Sequence, residues 1–261
     1  MKVKKTDKRV SRQTSLLSLL RIIFIALWSI VISLIGNYFF NRKSKAEASR
    51  IYQKLGRYWA AIILAFCNVQ VKVIGLENIK NKRGVILTPN HMSHFDILVL
   101  FVALQGPNFR FVYKKELSEK DENGKYRYGI FGKVFAQSDN IPVNREHPGS
   151  PTMKLIVQRL RDGLNLIMFP EGTSGYENEI LPFQDGPFRL AAKLETEIVP
   201  VVIKGTHEVY NKLHPRLINS EFINSKEVSV EFFPGIKVEK DKIEEMAKKI
   251  HDFMELKYWE V

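Results

Sequence analysis

Cysteine is almost missing from this sequence: Cys67 is the one thiol in 261 residues, which excludes an internal disulfide and a cysteine-rich zinc site. It lies in an apolar stretch and reads as a buried thiol. Glycine and proline are sparse, at 15 and 11 residues, and 45% of the chain is hydrophobic. That composition excludes collagen-like, low-complexity and wholly disordered chains. No internal repeat is visible. The main body also lacks net charge. Residues 58–261 hold 27 Lys+Arg against 26 Asp+Glu, whereas residues 1–57 hold 13 against 2, so nearly all of the net +12 sits near the N-terminus. A nucleic-acid-binding domain would carry its positive surface on the folded body, with aromatics beside it for stacking, so no nucleic-acid partner is expected. A basic tail running into an apolar segment points instead to anionic lipid head groups. What is present suits one sizeable domain with an appendage, divided as 1–68 and 69–261.

Residues 22–41 run for 20 positions without a charge, as a helix about 30 Å and long enough to cross a hydrocarbon core. Basic residues flank both ends: Lys2, Lys4, Lys5, Lys8, Arg9 and Arg12 before, and Arg42, Lys43 and Lys45 after. A simple span should have one basic flank. Residues 58–66 (YWAAIILAF) form a second apolar segment, too short to cross. A membrane-associated helical hairpin dipping into one leaflet, with both ends returned to the cytoplasmic side, accommodates both facts and is the expectation. The alternatives are a single span, a helix buried against the body, and a signal peptide cleaved near Ala46-Glu47-Ala48. The long apolar core and the intervening cations argue against the last.

The body alternates strand and helix. Residues 69–74 (VQVKVI) alternate as a half-exposed strand and 84–88 (GVILT) read as a buried one. Further strands are expected at 109–113, 164–169, 199–203 and 228–233, and helices at 97–104, 128–136, 151–161, 187–195 and 240–256. The polar run 118–127 reads as a surface insertion, and residues 207–225 look irregular. This order predicts an α/β fold, a mixed and mainly parallel sheet covered by helices. In such sheets chemistry gathers where strands end and helices begin.

At the first such junction, GVILT passes through Pro89 into Asn90-His91-Met92-Ser93-His94-Phe95-Asp96. A carboxylate one helical turn beyond a histidine can accept from one ring nitrogen, fix the tautomer and leave the other nitrogen as a base. The nucleophile would then be a substrate hydroxyl. Ser93-x-x-Asp96 before an apolar run is equally a helix capping box. A third reading takes His91, His94 and Asp96 as metal ligands. However, the H-x-H-x-D-H spacing of a metallo-β-lactamase is absent, and His147, His207, His214 and His251 form no second cluster, so no metal is expected.

At the second junction the strand stops at Pro170. Gly172 permits a turn whose backbone N–H groups converge on an anion, with Glu171 as an orienting acceptor and Thr173 as a hydroxyl. Pro-Glu-Gly is also an ordinary strand ending. Between the junctions stand Lys114-Lys115-Glu116-Leu117 and Ile141-Pro142-Val143-Asn144-Arg145. Arg145 could clamp a phosphate bidentately, and Lys114 or Lys115 could act as a point charge. Each could equally be a solvated surface charge.

Taken together and in order, these segments resemble the glycerolipid acyltransferase family, most closely the bacterial 1-acyl-sn-glycerol-3-phosphate acyltransferases. Asn90-His91, Ser93 and Asp96 match the family's NHxSxxD block, and Lys114-Lys115-Glu116-Leu117 matches its KKEL segment. The segment ending at Arg145 matches the second block, Phe169-Pro170-Glu171-Gly172-Thr173 the FPEGT block, and Ile198-Val199-Pro200-Val201 the fourth. Gln184-Asp185-Gly186-Pro187-Phe188 corresponds to the segment joining the last two. The resemblance covers residues 69–204 and has departures. Family members acting on lysophosphatidic acid usually carry Arg where this chain has Ser174, and Asp139 stands where Gly is usual.

The resemblance implies the glycerol-phosphate acyltransferase fold, with His91 and Asp96 as the catalytic dyad. It places Lys114, Lys115, Arg145, Glu171, Gly172, Thr173 and Ser174 at the substrate, with N–H groups near Gly172 as candidates for stabilising anionic charge. No cofactor is implied. The donor would be acyl-CoA or acyl-carrier protein, the acceptor 1-acyl-sn-glycerol 3-phosphate and the product phosphatidic acid. The location would be the cytoplasmic face of the inner or plasma membrane, among membrane lipids. Another lysophospholipid as acceptor, or non-catalytic lysolipid binding, are the alternatives.

Overall fold

The computed structural model describes residues 16–104, 106, 108–144, 151–175, 179–209 and 226–260. It opens with two helices, α1 (Leu16–Phe40) and α2 (Lys45–Phe66), packed antiparallel. Phe24 stacks on Phe66, and Trp59 donates its indole N–H to Ser29 Oγ at 2.8 Å. Nearer the turn, Phe40 meets Tyr52 edge-on, and Gly36 lets the Tyr52 ring lie where a Cβ would stand. Arg42 and Lys43 form the turn of this hairpin, so the cations that follow the apolar run sit at its tip. Ser44 then caps α2 in a reciprocal capping box with Glu47.

The body follows as β1 (Val69–Ile74), β2 (Ile86–Pro89), α3 (Phe95–Ala103), β3 (Phe109–Lys114), α4 (Gly129–Gln137), β4 (Ile141–Val143) and α5 (Pro151–Arg161). It continues as β5 (Asn165–Ile167), α6 (Gly186–Leu194), β6 (Glu197–Lys204), α7 (Thr206–Val209), β7 (Lys226–Phe232), β8 (Ile236–Lys237) and α8 (Ile243–Trp259). Among the described residues the strands form one sheet in the order β1-β7-β6-β2-β5-β3-β4, with β8 beside β6. Strands β2 to β6 all run in one direction, and β7 with β1 runs opposite. The mixed, mainly parallel sheet expected from the sequence is the sheet observed. Its direction matters for function, because the C-terminal ends of β2, β3, β4, β5 and β6 open on a single edge.

Side chains alternate across the pleat and build a core on each face. Leu87, Ile167, Val199 and Val201 face α2 and α3, whereas Ile86, Leu166, Ile198 and Val202 face α5, α6 and α8. Ala60, Ile63, Leu64 and Cys67 belong to the first core. The second half of α2 is therefore structural, packed into the same core as the strands.

A buried polar cluster completes the join. Arg110 on β3 donates to Asp139 Oδ2 at 3.1 Å and to Ser49 Oγ of α2 at 2.7 Å, while Ser49 in turn donates to Asp139 Oδ2. Arg159 of α5 donates to Asp139 Oδ1 at 2.6 Å. Tyr52 and Asn37 reach the same neighbourhood through Gln137. Asp139 has φ of 59°, a left-handed conformation costing an ordinary residue about 1–2 kcal/mol, which accounts for the usual glycine. Asp139→Gly is nonetheless expected to destabilise the protein by about 3 kcal/mol, since it strands the buried Arg110 guanidinium and takes a partner from the half-buried Arg159. An unchanged thermal unfolding midpoint for that variant would show that the carboxylate contributes nothing.

Candidate active site

Strand β2 ends at Pro89, which has no N–H to give to a ladder, and Asn90 takes over the pairing with its side chain. Its Nδ2 donates to Ile203 O at 3.0 Å, and its Oδ1 accepts from Ile203 N at 2.7 Å. Asn90 is thus a fully buried bracket between β2 and β6, and it fixes where the next residue, His91, leaves the sheet.

His91 Nδ1 lies 2.9 Å from Asp96 Oδ2. The same oxygen accepts from the backbone N–H groups of Met92 and Ser93, each at 2.8 Å, and Oδ1 accepts from Thr206 Oγ1 at 2.5 Å. Asp96 is 0% exposed, and its two oxygens are met by protein donors on every side. A carboxylate can only accept, so the proton sits on Nδ1 and Nε2 carries the lone pair. The imidazole keeps 13% exposure. Phe169 stacks on it with centroids 4.0 Å apart and planes at 25°; its π-face favours the cationic ring that proton uptake would create.

The dyad reading of Ser93-x-x-Asp96 is the one the structure forms, and of the capping box only one half is present. The carboxylate reaches back to the Ser93 N–H as in a capping box, and Ser93 Oγ accepts from Phe95 N at 3.2 Å rather than from the N–H of Asp96. His94, by contrast, is exposed.

Strand β5 lies beside β2, with Leu87 opposite Ile167, which brings the Phe169–Ser174 turn against His91. Glu171 is buried and does not project into a cleft. Its Oε1 accepts from His91 N at 2.6 Å and its Oε2 from Leu181 N at 3.0 Å. Burial pushes its pKa up to about 8, against the pull of these two donors. It is the strut that ties the two turns together, and Gly175 N donates back to His91 O at 2.7 Å. Gly172 has φ of 72°, and its N–H is committed to Phe169 O. The N–H groups of Glu171, Thr173 and Ser174 have no hydrogen-bond partner among the described residues. The Ser174 residue itself is 3% exposed, so it offers no extended cation in place of the usual Arg.

Lys114 and Lys115 stand at the end of β3, two strands from β2 and about 10 Å across the sheet. Both side chains are exposed and without an ion pair among the described residues. Arg145 lies outside the described residues. The sequence reading did not single out Thr206 or the stacking ring of Phe169. The signal for Thr206 was its place just past the end of a buried strand that neighbours β2.

Comparison with known proteins finds acyltransferases. The family model described as Acyltransferase matches residues 70–204. The chain is 29% identical over 210 residues to a 1-acyl-sn-glycerol-3-phosphate acyltransferase of Limnanthes douglasii, covering 78% of this chain and 68% of that one. It is likewise 29% identical over 248 residues to the enzyme of that name from Haemophilus influenzae, covering 92% and 94%. Among solved structures, the 1-acyl-sn-glycerophosphate (LPA) acyltransferase of Thermotoga maritima superposes with a TM-score of 0.70 at 16% identity, covering 94% of this chain and 96% of that one.

Proposed function

The chain belongs to the Acyltransferase family, and from that premise we propose that it moves a fatty acyl group from an acyl thioester, of coenzyme A or acyl-carrier protein, to the free hydroxyl of 1-acyl-sn-glycerol 3-phosphate. The observation that carries this reading is the 2.9 Å contact between His91 Nδ1 and a fully solvated-by-protein Asp96. His91 Nε2 takes the proton of the acceptor hydroxyl as its oxygen attacks the thioester carbonyl. Asp96 holds the imidazolium that forms. The tetrahedral intermediate collapses with cleavage of the C–S bond, and the departing thiolate recovers the proton from His91. Phosphatidic acid and free thiol result, with no acyl-enzyme. The unpartnered N–H groups of Thr173 and Ser174 are suited to the anionic oxygen, and Lys114 and Lys115 to the acceptor phosphate.

The test offers the purified protein, in mixed micelles, acyl-CoA or acyl-carrier protein with a panel of lysolipids, and reads thiol release and product mass. Release with 1-acyl-sn-glycerol 3-phosphate is expected. Release only with a different head group would move the acceptor, in line with Ser174 standing where an Arg is usual. Lipid binding without thiol release would leave a non-catalytic binder.

The hairpin supplies the lipid contact. Of the described residues, one helix is long and apolar enough to cross a membrane, over Ile23–Phe40. However, α2 lies along it and exposes Arg50, Lys54 and Arg57, which a crossing α1 would drag into hydrocarbon at several kcal/mol each. The hairpin instead lies in the interface plane on the cytoplasmic face. Leu20, Ile23, Leu27, Ile30, Leu34 and Tyr38 of α1, exposed at helical spacing, point into lipid. Leu27→Ser with Leu34→Ser, at positions 58% and 61% exposed, is expected to weaken binding to anionic vesicles about a hundredfold, from about 3 kcal/mol of lost apolar contact. Unchanged vesicle sedimentation would contradict it.

A further inference from the structure

We propose that Thr206 is a positioning residue of the catalytic pair, which fixes the Asp96 carboxylate and sets how tightly the His91 imidazolium is held. The inference rests on His91 acting as the base. Thr206 lies just beyond the residues matched by the family model, 70–204, on the turn that leaves β6. Strand β6 is parallel to β2 and hydrogen-bonded to it, so the turn opens beside His91. Gly205 makes the turn possible: its φ is 87°, and a Cβ there would come 2.9 Å from Glu227 O. The next residue therefore points inward. Thr206 is 0% exposed, and its hydroxyl proton has one direction to go, since the carboxylate at 2.5 Å can only accept.

The two carboxylate oxygens are served unequally. Oδ2 takes His91 and two backbone N–H groups, whereas Oδ1 takes Thr206. Removing the hydroxyl would have two effects. The carboxylate loses its stop against rotation, and its charge concentrates on the donors that remain, His91 among them. A stronger hold on the imidazolium raises the pKa of His91. The other ionisable groups near Asp96 are Glu171 at the end of β5, His207 on α7 and Tyr258 on α8. Tyr258 Oη and His207 Nδ1 are 3.1 Å apart, and burial lowers the pKa of His207 and raises that of Tyr258. A change at 206 alters none of these side chains.

The experiment compares Thr206→Val, which keeps the shape, with Thr206→Ser, which keeps the hydroxyl. Full-length protein in mixed micelles is assayed for acyl transfer across pH. Separately, His91 is titrated by NMR with ¹⁵N-labelled histidine, its signal identified by its loss in His91→Gln. Thr206→Val is expected to lower kcat about tenfold, as for a lost hydrogen bond to a charged group, with KM for both substrates little changed. Its acid limb and its His91 titration should both move upward by about one pH unit. Thr206→Ser should behave as the native protein. A wild-type rate and pH profile for Thr206→Val would overturn the proposal. So would equal impairment of both variants, or a slower rate with neither limb nor titration displaced, which would mark a packing role. If the native protein transferred no acyl group to any lysolipid, the functional reading would fall, and the titration would still decide the case for Thr206.

Discussion

His91→Ala is expected to lower acyl transfer by about three orders of magnitude, the loss of a general base, with the fold unchanged. The local backbone does not depend on the imidazole. The His91 N–H is held by Glu171 and its C=O by Gly175, and both bonds survive truncation at Cβ. Asp96 keeps three of its donors, so no uncompensated buried charge appears. Thiol release measured beside circular dichroism separates the two quantities. Normal turnover by a folded His91→Ala protein would remove the dyad from the mechanism. His94→Ala is the matched control, because that ring is exposed, and it should stay active. Comparable loss from both variants, reversed by added metal, would favour metal-assisted hydrolysis.

Asp96→Asn should cost as much activity and, unlike His91→Ala, should also weaken the fold. The amide presents an N–H₂ group to donors that need an acceptor, and it cannot balance the imidazolium. It also stabilises the wrong histidine tautomer, a fault that lowers kcat about 10⁴-fold in a serine protease triad. Because the carboxylate is buried and accepts from His91, Met92, Ser93 and Thr206, leaving part of that set unpaired is worth about 2–4 kcal/mol of stability. Chemical denaturation and turnover should therefore fall together. A variant as stable as the native protein would mean that these bonds serve catalysis alone, and unimpaired turnover would remove Asp96 from the site.

The sequence made some of this visible and hid the rest, for reasons of distance. His91 and Asp96 are five positions apart, so a single turn brings them together and the spacing can be read directly. Thr206 meets Asp96 across 110 positions, a contact made by two neighbouring strands that no local pattern marks. Long strands with apolar alternation were equally legible: the expected 69–74 is β1 as found, Val69–Ile74. Strands β4 and β8, three and two residues long, are too short for any period to show. Pro200 looks misplaced within central β6. However, it falls between the residues paired to β8 and those paired to β7, and only its C=O is used on that side, by Phe233 N. In the sequence Arg42 and Lys43 stand as the flank of an apolar run. Their true place, in the bend between α1 and α2, emerges only once Phe24 is seen against Phe66.

The cluster of Ser49, Asp139 and Arg110 has a mechanical outcome. An enzyme on a pliable tether samples many heights and tilts above a bilayer, and few of them are productive. Here these bonds tie α2, and with it the hairpin proposed to rest on lipid, to the sheet that bears the proposed dyad. On the proposed placement the site would be carried at a set height above the lipid, and acceptors would reach it by lateral diffusion. A bilayer whose head-group spacing let α1 settle deeper would lower the site by the same distance, so lipid packing would act on the rate without touching a side chain in the site.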